Sequence, residues 1–144
     1  MATENDLDEV IERYHLTESE LLKGNPEPAK KLWSRREDVT LANPYGPPVR
    51  GRQQVDQVTE HAASLRRDGE FVGAEIVAKH VTAELAYVVQ IERAKAKVGD
   101  SEEITPYALR TTMIFRPEDG TWKVVHRHAD PITEAQPAES VIQE

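Results

Sequence analysis

Two histidines near the carboxyl end of the chain have the type and spacing that suit acid–base chemistry. His126 and His128 lie two positions apart in a segment rich in β-branched residues, so they share one face of the predicted strand. An imidazole with an ordinary pKa of ~6.5 exchanges protons near neutral pH, as a general base must. Strict alternation places Trp122 and Val124 on the same face and Arg127 on the other. It leaves open which face lines a pocket, and whether the histidines instead stabilise sheet packing or a dimer interface.

An arginine and a threonine on the preceding predicted strand could bind an anion. Arg110 and Thr112 also share one face. A guanidinium holds a carboxylate or phosphate through two parallel hydrogen bonds. The alternative is a solvent-exposed arginine, or one that is paired with an acid of the scaffold. His61 and His80 lie outside any metal-site spacing, and Cys is absent, so we expect neither a metal nor a cofactor.

Helices in the first half of the chain and strands in the second half must position these side chains. Apolar residues recur at helical spacing from Leu7 to Tyr14, after Asn5 as the expected N-cap, and Gly24-Asn25-Pro26 ends this helix. Further helices are predicted over 27–34 and 52–67. Strands are predicted over 37–42, 71–81, 84–97, 104–116 and 121–129, the last four as a meander of hairpins. A Pro- and Gly-rich turn occupies 43–48.

This order of elements is typical of the α+β class, with helices covering one face of a curved antiparallel sheet. The chain has 144 residues, the length of one ordinary domain. We therefore expect a single domain over 1–132, and an acidic tail over 133–144 that is partly disordered. The concave side of such a sheet is where ligand pockets tend to form.

Composition excludes several classes of protein. The net charge of -8 argues against general binding to nucleic acid or an anionic membrane. Apolar runs fall far short of the ~20 residues of a membrane-spanning helix, and the first residues are acidic rather than basic. We expect a cytoplasmic protein. The absence of Cys also excludes disulfides and thiolate catalysis.

Several short motifs, taken with the order of elements, give the chain a family resemblance over roughly 5–132. It resembles the SnoaL-like proteins of the superfamily of nuclear transport factor 2 and ketosteroid isomerase. The end of the chain also resembles the association domain of calmodulin-dependent kinase II. The motifs are Leu32-Trp33-Ser34, Asp38-Val39-Thr40-Leu41-Ala42-Asn43-Pro44-Tyr45-Gly46, Leu109-Arg110-Thr111-Thr112 and Asp119-Gly120-Thr121-Trp122-Lys123-Val124-Val125-His126-Arg127-His128-Ala129-Asp130.

The resemblance implies a cone-shaped α+β barrel in which three N-terminal helices pack on a strongly curved antiparallel sheet with a deep concave pocket. It also implies a homodimer formed through the outer face of the sheet. Ketosteroid isomerases keep their catalytic Asp where this chain has Asn43. An amide cannot shuttle a proton, so whether the chain is an enzyme at all stays open. Tyr14 resembles the tyrosine that those enzymes use to bind the substrate oxygen.

Two functions follow from these observations. One is a SnoaL-like isomerase, cyclase, dehydratase or hydrolase that acts on an apolar carbonyl-bearing or anionic small molecule. The alternative is a non-catalytic ligand-binding or oligomerisation module of the same fold. The candidate catalytic residues are His126, His128 and Asn43, and the candidate substrate-binding residues are Tyr14, Trp33, Tyr45, Arg110 and Thr112.

Overall fold

The computed structural model describes residues 2–143, in which three helices pack against one face of a six-stranded mixed sheet. The helices are α1 (Glu4–Leu21), α2 (Glu27–Leu32) and α3 (Arg52–Ser64). The strands are β1 (Thr40–Ala42), β2 (Val49–Arg50), β3 (Arg66–Val81), β4 (Ala86–Val98), β5 (Thr105–Glu118) and β6 (Thr121–Asp130).

The strand order is β2-β1-β6-β5-β4-β3, and the last four strands form the predicted antiparallel meander. The α+β class and the helix-covered sheet are confirmed, with two differences in detail. The short strand β1 runs parallel to β6, so the sheet is mixed. The described strands also leave the sheet open, with β2 and β3 as its edges.

Helix α1 begins earlier than predicted because a different residue caps it. The side chain of Thr3 accepts a hydrogen bond of 3.1 Å from the Asp6 amide, and the Asp6 carboxylate accepts one of 2.9 Å from the Thr3 amide. This reciprocal capping box satisfies two free amides, so Asn5 lies inside the helix instead of capping it. The apolar stripe from Leu7 to Tyr14 packs into the core as predicted.

Strand β3 begins at Arg66, five residues before the predicted start at 71, and α3 accordingly ends at Ser64. A β-bulge between Arg67 and Glu70 allows the strand to pair with β4 from Arg66 onward. Within the bulge, Asp68 has a φ of 53°. Gly69 sits at the closest approach of this bulge to the neighbouring strand. A Cβ atom at Gly69 would lie 2.6 Å from the Lys95 carbonyl oxygen, so only glycine fits without a shift.

The core lies between the helices and the inner face of the sheet. Its largest fully buried members are Trp122, Phe115, Leu7, Leu22 and Met113. No helix within 2–143 is long and apolar enough to cross a membrane.

Residues 133–143 are exposed and include one 3-10 turn, Ala138–Val141. The division into a domain over 1–132 and a tail over 133–144 stays a prediction. The first residue of the predicted domain, Met1, and the last residue of the predicted tail, Glu144, lie outside the described residues.

Candidate functional site

A small cavity lies on the inner face of the sheet, between α1, α3, the Asn43–Tyr45 turn and the ends of β5 and β6. Its volume is about 40 Å³. Apolar side chains from Leu21, Trp33, Leu41, Leu109 and Ala129 form part of its wall. Its polar lining consists of Tyr14, Glu18, Asn43, Tyr45, Thr59, Arg66 and Arg127. The cavity thus combines apolar walls with a few convergent polar groups, as small-molecule sites do.

A buried ion pair adjoins this cavity, which one of its members, Arg127, lines. Both terminal nitrogens of Arg127 on β6 donate to the Glu92 carboxylate on β4, at 2.8 Å each. Gln90 Nε2 donates to the same carboxylate at 2.9 Å. Burial alone would raise the pKa of Glu92, but the Arg127 charge and its hydrogen bonds outweigh burial and lower it. Arg127 is therefore held in place, with its charge neutralised by Glu92.

A second carboxyl group, Glu18 on α1, lines the cavity and forms a longer ion pair with the same arginine. Its side-chain oxygen lies 3.7 Å from Arg127 Nη2, and only 6% of the residue is exposed. Burial raises the pKa of Glu18, and the Arg127 charge opposes this only in part. The Tyr14 hydroxyl lies beside it, one helical turn earlier, and burial likewise raises the pKa of Tyr14 well above its usual range. Titratable groups perturbed in this way inside a cavity are typical of functional sites.

The third charged group of the cavity is Arg66, the first residue of β3, which is 6% exposed. Its Nη1 donates to the Tyr107 hydroxyl at 2.9 Å and its Nε to the Ala62 carbonyl at 3.4 Å. The ring of Tyr45 lies 5.8 Å from the Arg66 guanidinium carbon. No carboxylate among residues 2–143 lies within ion-pair distance of Arg66.

Four of the residues selected from the sequence meet at this cavity: Tyr14, Trp33, Asn43 and Tyr45. Trp33 is buried and bridges to Val124 of β6, which anchors the wall. The Asn43 side-chain oxygen accepts a hydrogen bond of 3.0 Å from the Tyr45 amide, so it shapes the turn that carries Tyr45 over the cavity. The functional roles predicted for these four residues stay predictions.

The other four selected residues lie on the opposite, outer face of the sheet. Arg110, Thr112, His126 and His128 line a shallow depression there. Arg110 and His128 both contact the Asp130 carboxylate, at 2.7 and 2.9 Å. The roles predicted for them in an inner pocket would require the opposite face.

A bulge in β6 is the reason for this placement. Phe115 pairs with Val124 but Ile114 pairs with His126, so β6 contains one residue more than its partner strand. The extra residue reverses the inward–outward alternation of side chains after Val124. The side chains of Trp122 and Val124 point inward before the bulge, and that of Arg127 points inward after it. The expectation that the His pair shares a face with Trp122 and Val124 is therefore wrong.

On the outer face, His126 contributes to the pairing of β1 with β6. Its Nδ1 is hydrogen-bonded to the Thr40 hydroxyl at 2.7 Å. Burial, and to a lesser degree the neighbouring His128, lowers the pKa of His126. The imidazole of His126 therefore contacts β1 rather than the cavity.

Sequence reasoning missed four charged residues at the inner site: Glu18, Arg66, Glu92 and Arg127. A signal was present for two of them. Glu18 continues the apolar stripe of α1, and Glu92 alternates with Val88 and small residues on β4. Burial of Arg127 depends on the bulge, and burial of Arg66 on the early start of β3, neither of which alternation reveals.

Metal binding has no obvious site in the described part of the chain, because no three His, Asp or Glu side chains there could hold an ion together. The expectation that the protein uses no metal and no cofactor stays a prediction.

The chain is similar in sequence to one protein family and in fold to several solved structures. A family model described as a SnoaL-like domain matches residues 10–133. Among solved structures, a nuclear transport factor 2-like superfamily protein from Salmonella enterica is 17% identical, covers 94% of each chain and superposes with a TM-score of 0.76. A ketosteroid isomerase-like protein from Erwinia carotovora atroseptica is 15% identical, covering 88% of this chain and 94% of its own, with a TM-score of 0.73.

A third structure, from Streptomyces avermitilis, is described as a proposed dehydratase of the nuclear transport factor 2-like family. It is 17% identical, covers 90% of this chain and 96% of its own, and has a TM-score of 0.70. No curated protein sequence matches this chain. At these identities the structural likenesses establish the fold alone.

Proposed function

Because this chain belongs to the SnoaL-like domain family, we propose that it binds a small carbonyl-bearing or anionic molecule with an apolar part in its inner cavity and catalyses a proton transfer on it. Such a reaction is the common element of the isomerase, cyclase, dehydratase and hydrolase activities considered from the sequence. The proposal rests on the placement of Glu18, whose carboxyl group is buried, lines the cavity and has a raised pKa. It replaces His126 as the candidate general acid–base, because His126 lies on the outer face.

The neighbours of Glu18 define the rest of the chemistry. A buried carboxyl group with a raised pKa can both accept and return a proton. Tyr14 keeps its proton because burial raises its pKa, so its hydroxyl is a hydrogen-bond donor for a substrate oxygen. Asn43 has an amide nitrogen for the same task, while its oxygen holds the Tyr45 amide. Arg127, held in place by Glu92, lies next to Glu18 and keeps the polar wall of the cavity rigid.

The first experiment is a thermal-shift screen of the purified protein against carboxylates, steroids and polyketide-like aromatic compounds. A ligand that binds only the folded state raises the melting temperature by mass action. Compounds that give a shift are then tested for turnover with the wild-type protein and with Glu18→Gln. The matched control is Glu75→Gln, an exposed carboxyl on β3 that pairs with exposed Arg93.

We expect Glu18→Gln to lose about 10²-fold or more of the turnover rate while it retains ligand binding, since general acid–base catalysis contributes about that much. Glu75→Gln retains the wild-type rate. His126→Gln tests the competing assignment, because a larger loss there than in Glu18→Gln would contradict the choice of Glu18. Full activity of Glu18→Gln would refute its role directly.

A non-catalytic module of the same fold is the second candidate function, and the small size of the cavity favours it. A volume of about 40 Å³ leaves space for only a few water molecules at ~10–15 Å³ each. Under this alternative the side chains largely fill the pocket, and the protein acts through its surface. A screen that yields no ligand of any class, from a protein that is cleanly oligomeric, would favour this alternative.

We further propose that the protein is a homodimer formed through the outer face of the sheet. That face exposes Tyr87, 38% accessible, and places Val89 beside Arg110 and Thr112. Light scattering of the wild-type protein is expected to give twice the chain mass. Val89→Asp is expected to give a folded monomer, because it places a charge on that face that the dimer interface would have to bury. A cytoplasmic location stays a prediction.

A further inference from the structure

Arg66 is a buried cation that forms no ion pair with any carboxylate of the described residues. Its hydrogen-bond partners, the Tyr107 hydroxyl and the Ala62 carbonyl, are both neutral. Charged side chains are almost never buried to this degree without a partner of opposite charge. Within residues 2–143, no oxygen accepts a hydrogen bond from its second terminal nitrogen, Nη2. Arg66 therefore lines the cavity with a hydrogen-bond donor, Nη2, that is available to an anionic ligand.

The charges around the cavity favour the same class of ligand. On β6 and β4, Arg127 and Glu92 cancel each other. On α1, burial raises the pKa of Glu18, which favours its neutral form, and Tyr14 beside it is neutral. Burial raises the pKa of Tyr107 on β5, so this hydroxyl adds no charge either. The Arg66 charge in turn lowers the pKa of Glu18, but no carboxylate of residues 2–143 lies within ion-pair distance of Arg66. A bound anion would therefore supply the ion-pair partner that Arg66 does not have in this part of the chain.

We propose that the ligand of this cavity is a small carboxylic acid whose carboxylate binds Arg66. The inference rests on the proposed function, because it names the ligand class of that same site. Arg66 Nη2 donates to one carboxylate oxygen, and the Asn43 amide nitrogen is the neighbouring donor that lines the cavity. The apolar walls at Leu41 and Leu109 receive the carbon chain. The volume of about 40 Å³ suits a short chain rather than a fused ring system.

The test compares each acid with its uncharged isostere. Propionate and propionamide, and then butyrate and butyramide, are titrated into the wild-type protein, and binding is followed by calorimetry and by amide shifts in NMR spectra. We expect each acid to bind at least tenfold more tightly than its amide, as a charge-assisted hydrogen bond implies. This comparison needs no variant, so it holds even if a substitution at Arg66 disturbs folding.

Variants then locate the site. Arg66→Gln is expected to lose at least tenfold in affinity for the acids, and Arg66→Lys to retain part of it. Arg93→Gln, which removes an exposed arginine of β4, is expected to bind as the wild type does. The amide shifts should cluster at Arg66, Asn43 and Tyr45.

Three results would overturn the inference in distinguishable ways. Equal affinity for acids and amides would leave the small-molecule pocket standing but remove carboxylate recognition. Loss of acid binding in Arg110→Gln but not in Arg66→Gln would move the anion site to the outer face. Absence of binding by any of these acids would overturn the carboxylate assignment, and the proposed function would fail separately only if the wider screen also found no ligand.

Discussion

Breaking the buried ion pair at Arg127 should destabilise the protein far more than breaking an exposed one. The side chains of Arg127 and Glu92 are 8% and 4% exposed. Glu92→Leu leaves the Arg127 guanidinium buried, with Glu18 at 3.7 Å as its nearest carboxylate. Removing one partner of a buried pair costs about 3–5 kcal/mol. The matched control, Asp130→Asn, frees Arg110, which is 53% exposed, and should cost less than about 1 kcal/mol.

Urea unfolding measures this difference, and Trp33 and Trp122, both buried, report it by fluorescence. At an m-value of about 2 kcal/mol/M, a loss of about 4 kcal/mol lowers the midpoint by about 2 M. The double variant Glu92→Leu with Arg127→Met should be more stable than Glu92→Leu alone, because no unpaired charge stays buried. The reasoning is refuted if Glu92→Leu costs no more than Asp130→Asn, or if the double variant is the less stable one.

Three further predictions concern stability. Gly69→Ala should lower the free energy of unfolding by about 1–3 kcal/mol, because its Cβ would lie 2.6 Å from the Lys95 carbonyl oxygen. Gly73→Ala on the same strand has open space around its Cβ and should be tolerated. Thermal unfolding of the two variants measures the difference. Thr3→Ala removes the cap of α1 and should cost about 1 kcal/mol, measured by urea unfolding; an unchanged midpoint would deny the capping box a role. The raised pKa of Glu18 means that its contribution favours folding below the unfolded pKa near 4.5 and is lost as pH rises through the folded pKa. Glu18→Gln should therefore gain stability relative to the wild type as pH rises from about 4.5, and a difference independent of pH would contradict the shift.

The amino-acid sequence by itself determined the features that depend on neighbours along the chain. The stripe from Leu7 to Tyr14 specifies the buried face of α1 because a helix repeats every 3.6 residues. The β-branched runs after Gly69, separated by short turns, specify a meander of four strands. Together with the motifs that gave the family resemblance, these local patterns were sufficient for the α+β fold.

Only the tertiary structure decided which side chains share the cavity. One additional residue in β6 turns Arg127 inward and His126 outward, and a bulge of this kind follows from pairing with β5 rather than from the local sequence. Glu18, Glu92 and Arg127 meet although they belong to α1, β4 and β6. Their burial, and the pKa shifts that follow from it, arise from contacts between residues distant in sequence. Alternation within one segment cannot register such contacts, which is why the sequence selected the outer histidines and the structure selects the inner carboxyl group and arginines.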